Sequence, residues 1–299
     1  MDYKGWYEEN PTKIICAGLD YYCYQSVRRI PTFFDYKYRI CYSKIESATN
    51  IQEIQHPSAR EIIRRYSNDK PLEISYTGDL PARSGIGSSS AFTVGLINSM
   101  RAINNKYIGR TELALEAIDF EQNVLKELVG IQDQCASAFG GLILIEADKQ
   151  SIRPRRFIVN PDYLKYLQNN LLMGFDGISR NSQVAAKNVV ASISENEKKD
   201  LFLELADLNS NGVDIFSSQE SIDKHSFITK KIRDIKLKLN GDNNIVKINK
   251  IISDTENAGS LCTRFMGAGG GGFFICWAPK YCHEAIKNSV KIKTWVDVD

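Results

Sequence analysis

The residues best suited to hold an anion are Gly85 and Gly87, followed at once by Ser88, Ser89 and Ser90. Two glycines let the backbone take dihedrals that a Cβ would forbid. The serines stand where a helix begins, with its first N–H groups unpaired. A glycine-rich turn opening a helix faces an anion with free N–H groups and the positive helix end, and the serine hydroxyls can add donors or a metal ligand. By itself the stretch also fits an ordinary loop with a serine N-cap. Downstream, Glu121 falls on the same side of a helical pattern as Ala117 and Ile118. A carboxylate on a buried face needs a partner. Four successive glycines, Gly269 to Gly272, exceed what a hairpin turn needs, which points to close approach of backbone to a ligand or to another loop.

Familiar phosphate loops do not account for the stretch. The pattern Gly-x-x-x-x-Gly-Lys-[Ser/Thr] needs a lysine after its second glycine, where Ser88 stands. The dinucleotide fingerprint lacks its third glycine, because Ser90 holds that place. The His-Arg-Asp and Asp-Phe-Gly sets of protein kinases are missing from the sequence.

Around the loop, a strand is expected at Leu72 to Tyr76 and a helix from Ser88 to about Asn104, with Ala91, Val94, Leu96, Ile97, Met100 and Ile103 as its apolar face. A strand over Pro11 to Gly18 precedes two more, Tyr21 to Arg28 and Tyr36 to Ser43, and a helix follows His56-Pro57. A helix from Thr111 carries Glu121, and Asp133 reads as the N-cap of a short helix. Strands are expected over Leu142 to Ile145 and Leu171 to Phe175, helices over Ser182 to Ser218 and within Lys230 to Lys250, then an apolar hairpin over Leu261 to Trp277. Charge and prolines near Asp148 to Asp162 suggest a boundary between domains 1–155 and 156–299.

The 299 residues can bury a large core, and 43% apolar with 25% charged residues is ordinary for a globular protein. A net charge of +2 gives no basis for a nucleic-acid or membrane-surface partner. No apolar run reaches the roughly 18 residues of a membrane span. Seven scattered cysteines without Cys-x-x-Cys read as reduced thiols of a cytoplasmic protein, and the three histidines show no metal-ligand spacing.

Pro81 to Ala91 resembles the second motif of the GHMP kinases, Pro-x-x-x-Gly-[Leu/Ile]-Gly-Ser-Ser-[Ala/Ser]-[Ala/Ser]. Pro11-x-Lys13 and its strand resemble the first motif, and the glycine-centred hairpin Leu261 to Trp277 the third. The resemblance implies an α+β fold of two domains: an N-terminal one with a left-handed β-α-β unit and a C-terminal ferredoxin-like one. It implies ATP phosphates bound along Pro81, Arg83, Ser84, Gly85, Ile86, Gly87, Ser88, Ser89 and Ser90, with Mg²⁺ on Ser89 and Glu121. Asp133, in a segment similar to Gly-x-x-Asp-Gln of galactokinase-like members, would be the catalytic base. Lys13 would point into the site and keep it ionised.

Within the family, Val129 to Gly141 and Phe33 to Ile40 look most like heptose 7-phosphate kinases, which phosphorylate the anomeric hydroxyl. Arg180, in a loop similar to theirs, would clamp a sugar phosphate, with Gly269 and Gly270 beside the substrate. Asp176 departs from that loop's threonine. A second departure follows Gly18, where related sugar kinases carry Gly-Gly-Thr-Asp and a loop that touches the sugar; here the chain runs directly into Leu19-Asp20-Tyr21. Another sugar-1-kinase, or a nucleotide-binding homologue without catalysis, therefore stays open, as does a homodimer.

Overall fold

The computed structural model describes residues 1–299 except 83, 179–181, 194, 196–197, 241–244, 268–269, 297 and 299. Strand β1 (Thr12–Ala17) follows a short helix α1 (Lys4–Tyr7), and the chain passes through residues 18–22 into β2 (Cys23–Arg29). Then come β3 (Tyr38–Cys41), β4 (Ile45–Ala48), α2 (Pro57–Tyr66) and β5 (Leu72–Gly78). These pair in the order β2-β5-β3-β4, with β3 parallel to β5 and α2 on the connection between them. Helix α2 starts as its residues dictate: Pro57 needs no N–H partner at the first position, and His56 Nδ1 accepts from Ala59 N at 3.3 Å. Its Ala59, Ile62 and Ile63 recur at helical spacing and meet Leu72 and Ile74, the inward residues of β5, in one core.

Helix α3 (Ser88–Ala102) packs Phe92, Val94, Leu96, Ile97 and Met100 into that core. After α4 (Arg110–Asp119) the chain widens into a π turn, Phe120–Val124, before α5 (Gln132–Phe139), β6 (Leu142–Ala147) and β7 (Ile152–Arg156). Strands β1, β6 and β7 form a second sheet, all antiparallel. The sequence pattern gave no sign of the short edge strand β4. It gave none of β7 either, which lies in the charged stretch around the expected domain boundary and spans positions 155 and 156.

The second half contains α6 (Pro161–Asn169), β8 (Leu171–Phe175), α7 (Ser182–Ile193), α8 (Lys199–Ser217), α9 (Ile222–Asn240) and α10 (Ile245–Asn257). It ends with β9 (Cys262–Phe265), β10 (Phe273–Trp277), α11 (His283–Ser289) and β11 (Thr294–Val296). Its sheet runs β11-β8-β10-β9, antiparallel throughout. Numbered from β8, that order is 4-1-3-2, the ferredoxin-like arrangement, with α7 to α10 in place of one helix. Phe175 stacks on Phe273 at 4.7 Å, and these two pack with Met173 against Leu80 and Ile86. The loop between β5 and α3 is thereby held by core residues of the second half. All seven cysteines are free. Among the described residues no helix is long and apolar enough to cross a membrane.

Candidate active site

Gly85 (φ 87°) and Gly87 (φ 75°) take the left-handed conformations that the loop requires of them, and Gly87 is the N-cap of α3. Ser84 is fully buried and its Oγ donates to Pro81 O at 2.7 Å, closing the turn that leads into the glycines. Pro81 and Ser89 are exposed, and Gly85 to Ser88 are half-buried. Arg83 lies outside the described residues, as do Arg180 and Gly269.

The glycine tract between β9 and β10 docks on this loop. Gly272 (φ 97°) is so close that a Cβ would fall 2.4 Å from Ser84 O, and one on Gly267 would fall 2.9 Å from Gly85 O. Phe273 N donates to the same Ser84 O at 3.3 Å. Asp176, at the end of β8, ties the arrangement together, accepting on Oδ1 from Gly272 N at 3.0 Å and from Ile178 N at 2.8 Å. Gly270 is half-buried in the same tract.

Two carboxylates stand beside the loop. The site of a Cβ on Gly87 lies 3.0 Å from Asp133 Cγ, so the Asp133 side chain rests directly on the turn that opens α3. Asp133 occupies the first turn of α5, one position inside the helix. Its carboxyl is pushed up to about 7, first by burial and then by the charges of Asp2 and Glu121, with Lys236 acting in the opposite direction. Glu121 is 1% exposed. Its Oε2 accepts from Ser90 Oγ at 2.9 Å and from Gln134 Nε2, while Oε1 has no hydrogen-bond partner among the described residues. Burial raises its carboxyl too. The π turn places Glu121 here, since five residues in the wider spiral change the facing set by α4.

Lys13 does not join this group. Thr12 and Ile14 are the buried residues of that part of β1, so alternation turns Lys13 outward, where its Nζ stands 4.0 Å from Glu146 Oε1 with the side chain 54% exposed. Among the described residues, the cation whose charge acts on Asp133 is Lys236 of α9, a residue that the sequence presents only as part of an amphipathic helix. The serine that meets Glu121 is Ser90, one residue beyond Ser89. Asp2 was equally hidden in the sequence: a Cβ on Gly130 would fall 1.7 Å from its Oδ2, so the N-terminal segment lies against the approach to α5. Replacing Lys13 with Met is therefore expected to leave catalysis unchanged and to alter stability by no more than about 1 kcal/mol, as read by steady-state kinetics and thermal melts. A large fall in turnover would return Lys13 to the site.

No group of three or more His, Cys, Asp or Glu able to hold a metal occurs among the described residues. The free, buried Oε1 of Glu121 beside the serines of α3 suits one divalent cation that takes its remaining ligands from phosphate oxygens and water.

The fold is that of several solved kinases. The crystal structure of a D-glycero-D-manno-heptose 1-phosphate kinase from Bacteriodes thetaiotaomicron superposes with a TM-score of 0.76 at 16% identity, over 100% of this chain and 91% of that one. A mevalonate kinase structure gives 0.68 at 16% identity, over 96% of each chain. Residues 54–141, which carry the glycine–serine loop, Glu121 and Asp133, match the model of the GHMP kinases N terminal domain. The D-glycero-alpha-D-manno-heptose 7-phosphate kinase of Campylobacter jejuni is 33% identical over 121 residues, 38% of this chain and 34% of the relative. The mevalonate kinase of Methanothermobacter thermautotrophicus is 23% identical over 222 residues, 72% of this chain and 67% of the relative. The match thus spans about a third of the first relative's length.

Proposed function

We propose that the protein transfers the γ-phosphoryl group of ATP to a hydroxyl of a sugar phosphate, with Asp133 as the base. The observation that carries this reading is the seat of Asp133 on Gly87: a carboxylate able to take a proton stands against the turn whose N–H groups would hold the phosphates. ATP would lie along Gly85 to Ser90. The acceptor oxygen attacks the γ-phosphorus, its proton passes to Asp133, and the bond to the bridging oxygen breaks to release ADP. Glu121 and Ser89 would hold Mg²⁺, with Ser90 orienting the Glu121 carboxylate. Once bound, that ion would neutralise charge on the phosphate oxygens. The remaining contribution is positioning, supplied by the glycine tract that fixes the loop from behind.

For the acceptor, the resemblance of Val129 to Gly141 and the name of the Campylobacter relative favour D-glycero-D-manno-heptose 7-phosphate, phosphorylated at its anomeric hydroxyl to the 1,7-bisphosphate, on the way to nucleotide-activated heptose for surface glycans. Arg180 would then clamp the 7-phosphate. The direct run from β1 to β2 favours a second reading, nucleotide binding without transfer: Gly18 packs on Gly140 and Gly141, where a Cβ would meet backbone at 3.2 Å, and no acceptor loop intervenes. ATP consumption with Mg²⁺, across free hexoses, heptose 7-phosphate and other sugar phosphates, separates the readings. Selective turnover of heptose 7-phosphate is expected. Turnover of an unphosphorylated sugar would discard the Arg180 clamp, and silence across the panel with MgATP still bound would favour the second reading.

A further inference from the structure

We propose that the cavity between α9, α10 and β9 binds a single small anion, of the size of chloride, held by Arg264 and Lys236. Strand β9 is the edge of its sheet, and both helices pack against it. Between them lies a cavity of about 10 Å³. Arg233 and Lys236 of α9, Ile248 and Ile252 of α10, and Arg264 and Phe265 of β9 stand in its lining. The site adjoins the glycine tract: Lys236 Nζ donates to Gly267 O at 3.3 Å, and Gly267 leans on Gly85 O.

Three cations meet at this cavity, and only one is neutralised by the protein. Arg233 pairs with Asp234 at 2.9 Å and with Glu256 at 2.5 Å, and donates to Thr263 O at 3.1 Å. Arg264 has no such partners. Its Nε is buried without a hydrogen-bond acceptor, and it forms no ion pair, among the described residues. A guanidinium keeps its proton, so Arg264 cannot shed the cost of burial by discharging and needs a counter-charge. Burial works against its charged form, and its repulsion adds to the burial that brings the Lys236 ammonium down to about 7. Asp2 and Asp133 pull Lys236 the other way, yet neither forms an ion pair with it among the described residues. Size then selects the ligand. The volume admits one water or one monatomic ion, whereas phosphate, sulfate and carboxylates bring several heavy atoms. Water would accept from Nε but carries no charge. A halide does both, and the apolar side chains of Ile248, Ile252 and Phe265 strengthen its attraction to the two cations by keeping bulk water away.

The test uses the full chain and halide salts, and needs no acceptor or ATP, so it does not depend on the kinase reading. Thermal melts are recorded at fixed ionic strength while chloride replaces gluconate, an anion too large for the cavity. The wild-type midpoint is expected to rise saturably with chloride, by about 2–4 °C at ten times the half-saturating concentration. Arg264→Met should lose this rise. Effects of gluconate through exclusion from the protein surface would remain in both proteins, so the difference between them reports on the cavity. An equal chloride dependence in the two, or none in the wild type, overturns the proposal. Crystals of the wild-type protein grown in bromide give a second readout that holds even if Arg264→Met fails to fold. An anomalous peak between Arg264 and Lys236 supports the site. A water at that position, or bromide confined to the surface, refutes it.

Discussion

Asp133→Asn is expected to lower turnover by about 10²–10⁴-fold and, at the same time, to make the protein more stable at alkaline pH. Both effects come from the same environment. The folded carboxyl titrates near 7 rather than at its ordinary 3.8, a difference worth about 4 kcal/mol at most. A carboxyl raised in the folded state binds its proton more tightly there than in the unfolded chain. This carboxyl's contribution to stability is therefore full below the unfolded value, is lost as pH rises from there, and is gone above about 7. Asparagine fills the same space without that charge. Its advantage in thermal melts should be larger at about pH 8 than at about pH 5, while MgATP binding stays near that of the wild-type protein. A variant that loses turnover but is destabilised at alkaline pH would show that burial does not strain the ionised form. Unchanged turnover would remove Asp133 from the chemistry.

The second large effect is expected at Gly272. With φ at 97° and a Cβ only 2.4 Å from Ser84 O, alanine there has neither an allowed backbone conformation nor space. The obstruction is backbone of the glycine–serine loop, which cannot swing aside as a flexible side chain would. Forcing it away breaks the Phe273 N to Ser84 O bond and disturbs the bond from Gly272 N to Asp176 Oδ1. A loss of about 2–4 kcal/mol in denaturant unfolding is expected, together with weaker MgATP binding, because Ser84, next to Gly85, is pushed out of place. Alanine tolerated without change in either measurement would mean that the glycine tract does not brace the phosphate loop.

These sites differ in how plainly the sequence announced them. The glycine–serine turn, β5 and α3 could be read directly, because positive φ selects glycine and the apolar spacing of both elements is regular. The burial of Glu121 was visible from its side of the helix, but the π turn that aims it was not, since no residue type marks a wider spiral. Lys13 illustrates the limit of a motif: proline, lysine and an apolar strand fit the pattern, yet the alternation of buried Thr12 and Ile14 turns the lysine outward. Assigning Ser89 or Ser90 to Glu121 depends on helix phase, which the conformation of Gly87 fixes. Asp2, Asp176 and Lys236 reach the site from distant positions in the chain. Nothing local distinguishes Asp2 or Lys236, and the packing of the second half on the first brings in Asp176 and Lys236.

The most direct measurement is ³¹P NMR of heptose 7-phosphate incubated with the wild-type protein, Mg²⁺ and ATP. The structure and the resemblance together predict a second sugar phosphate signal, coupled to the anomeric proton, growing as the γ-phosphate of ATP disappears, and no such signal with Asp133→Asn. ATP left intact with every sugar phosphate, although MgATP binds, would contradict phosphoryl transfer at this site.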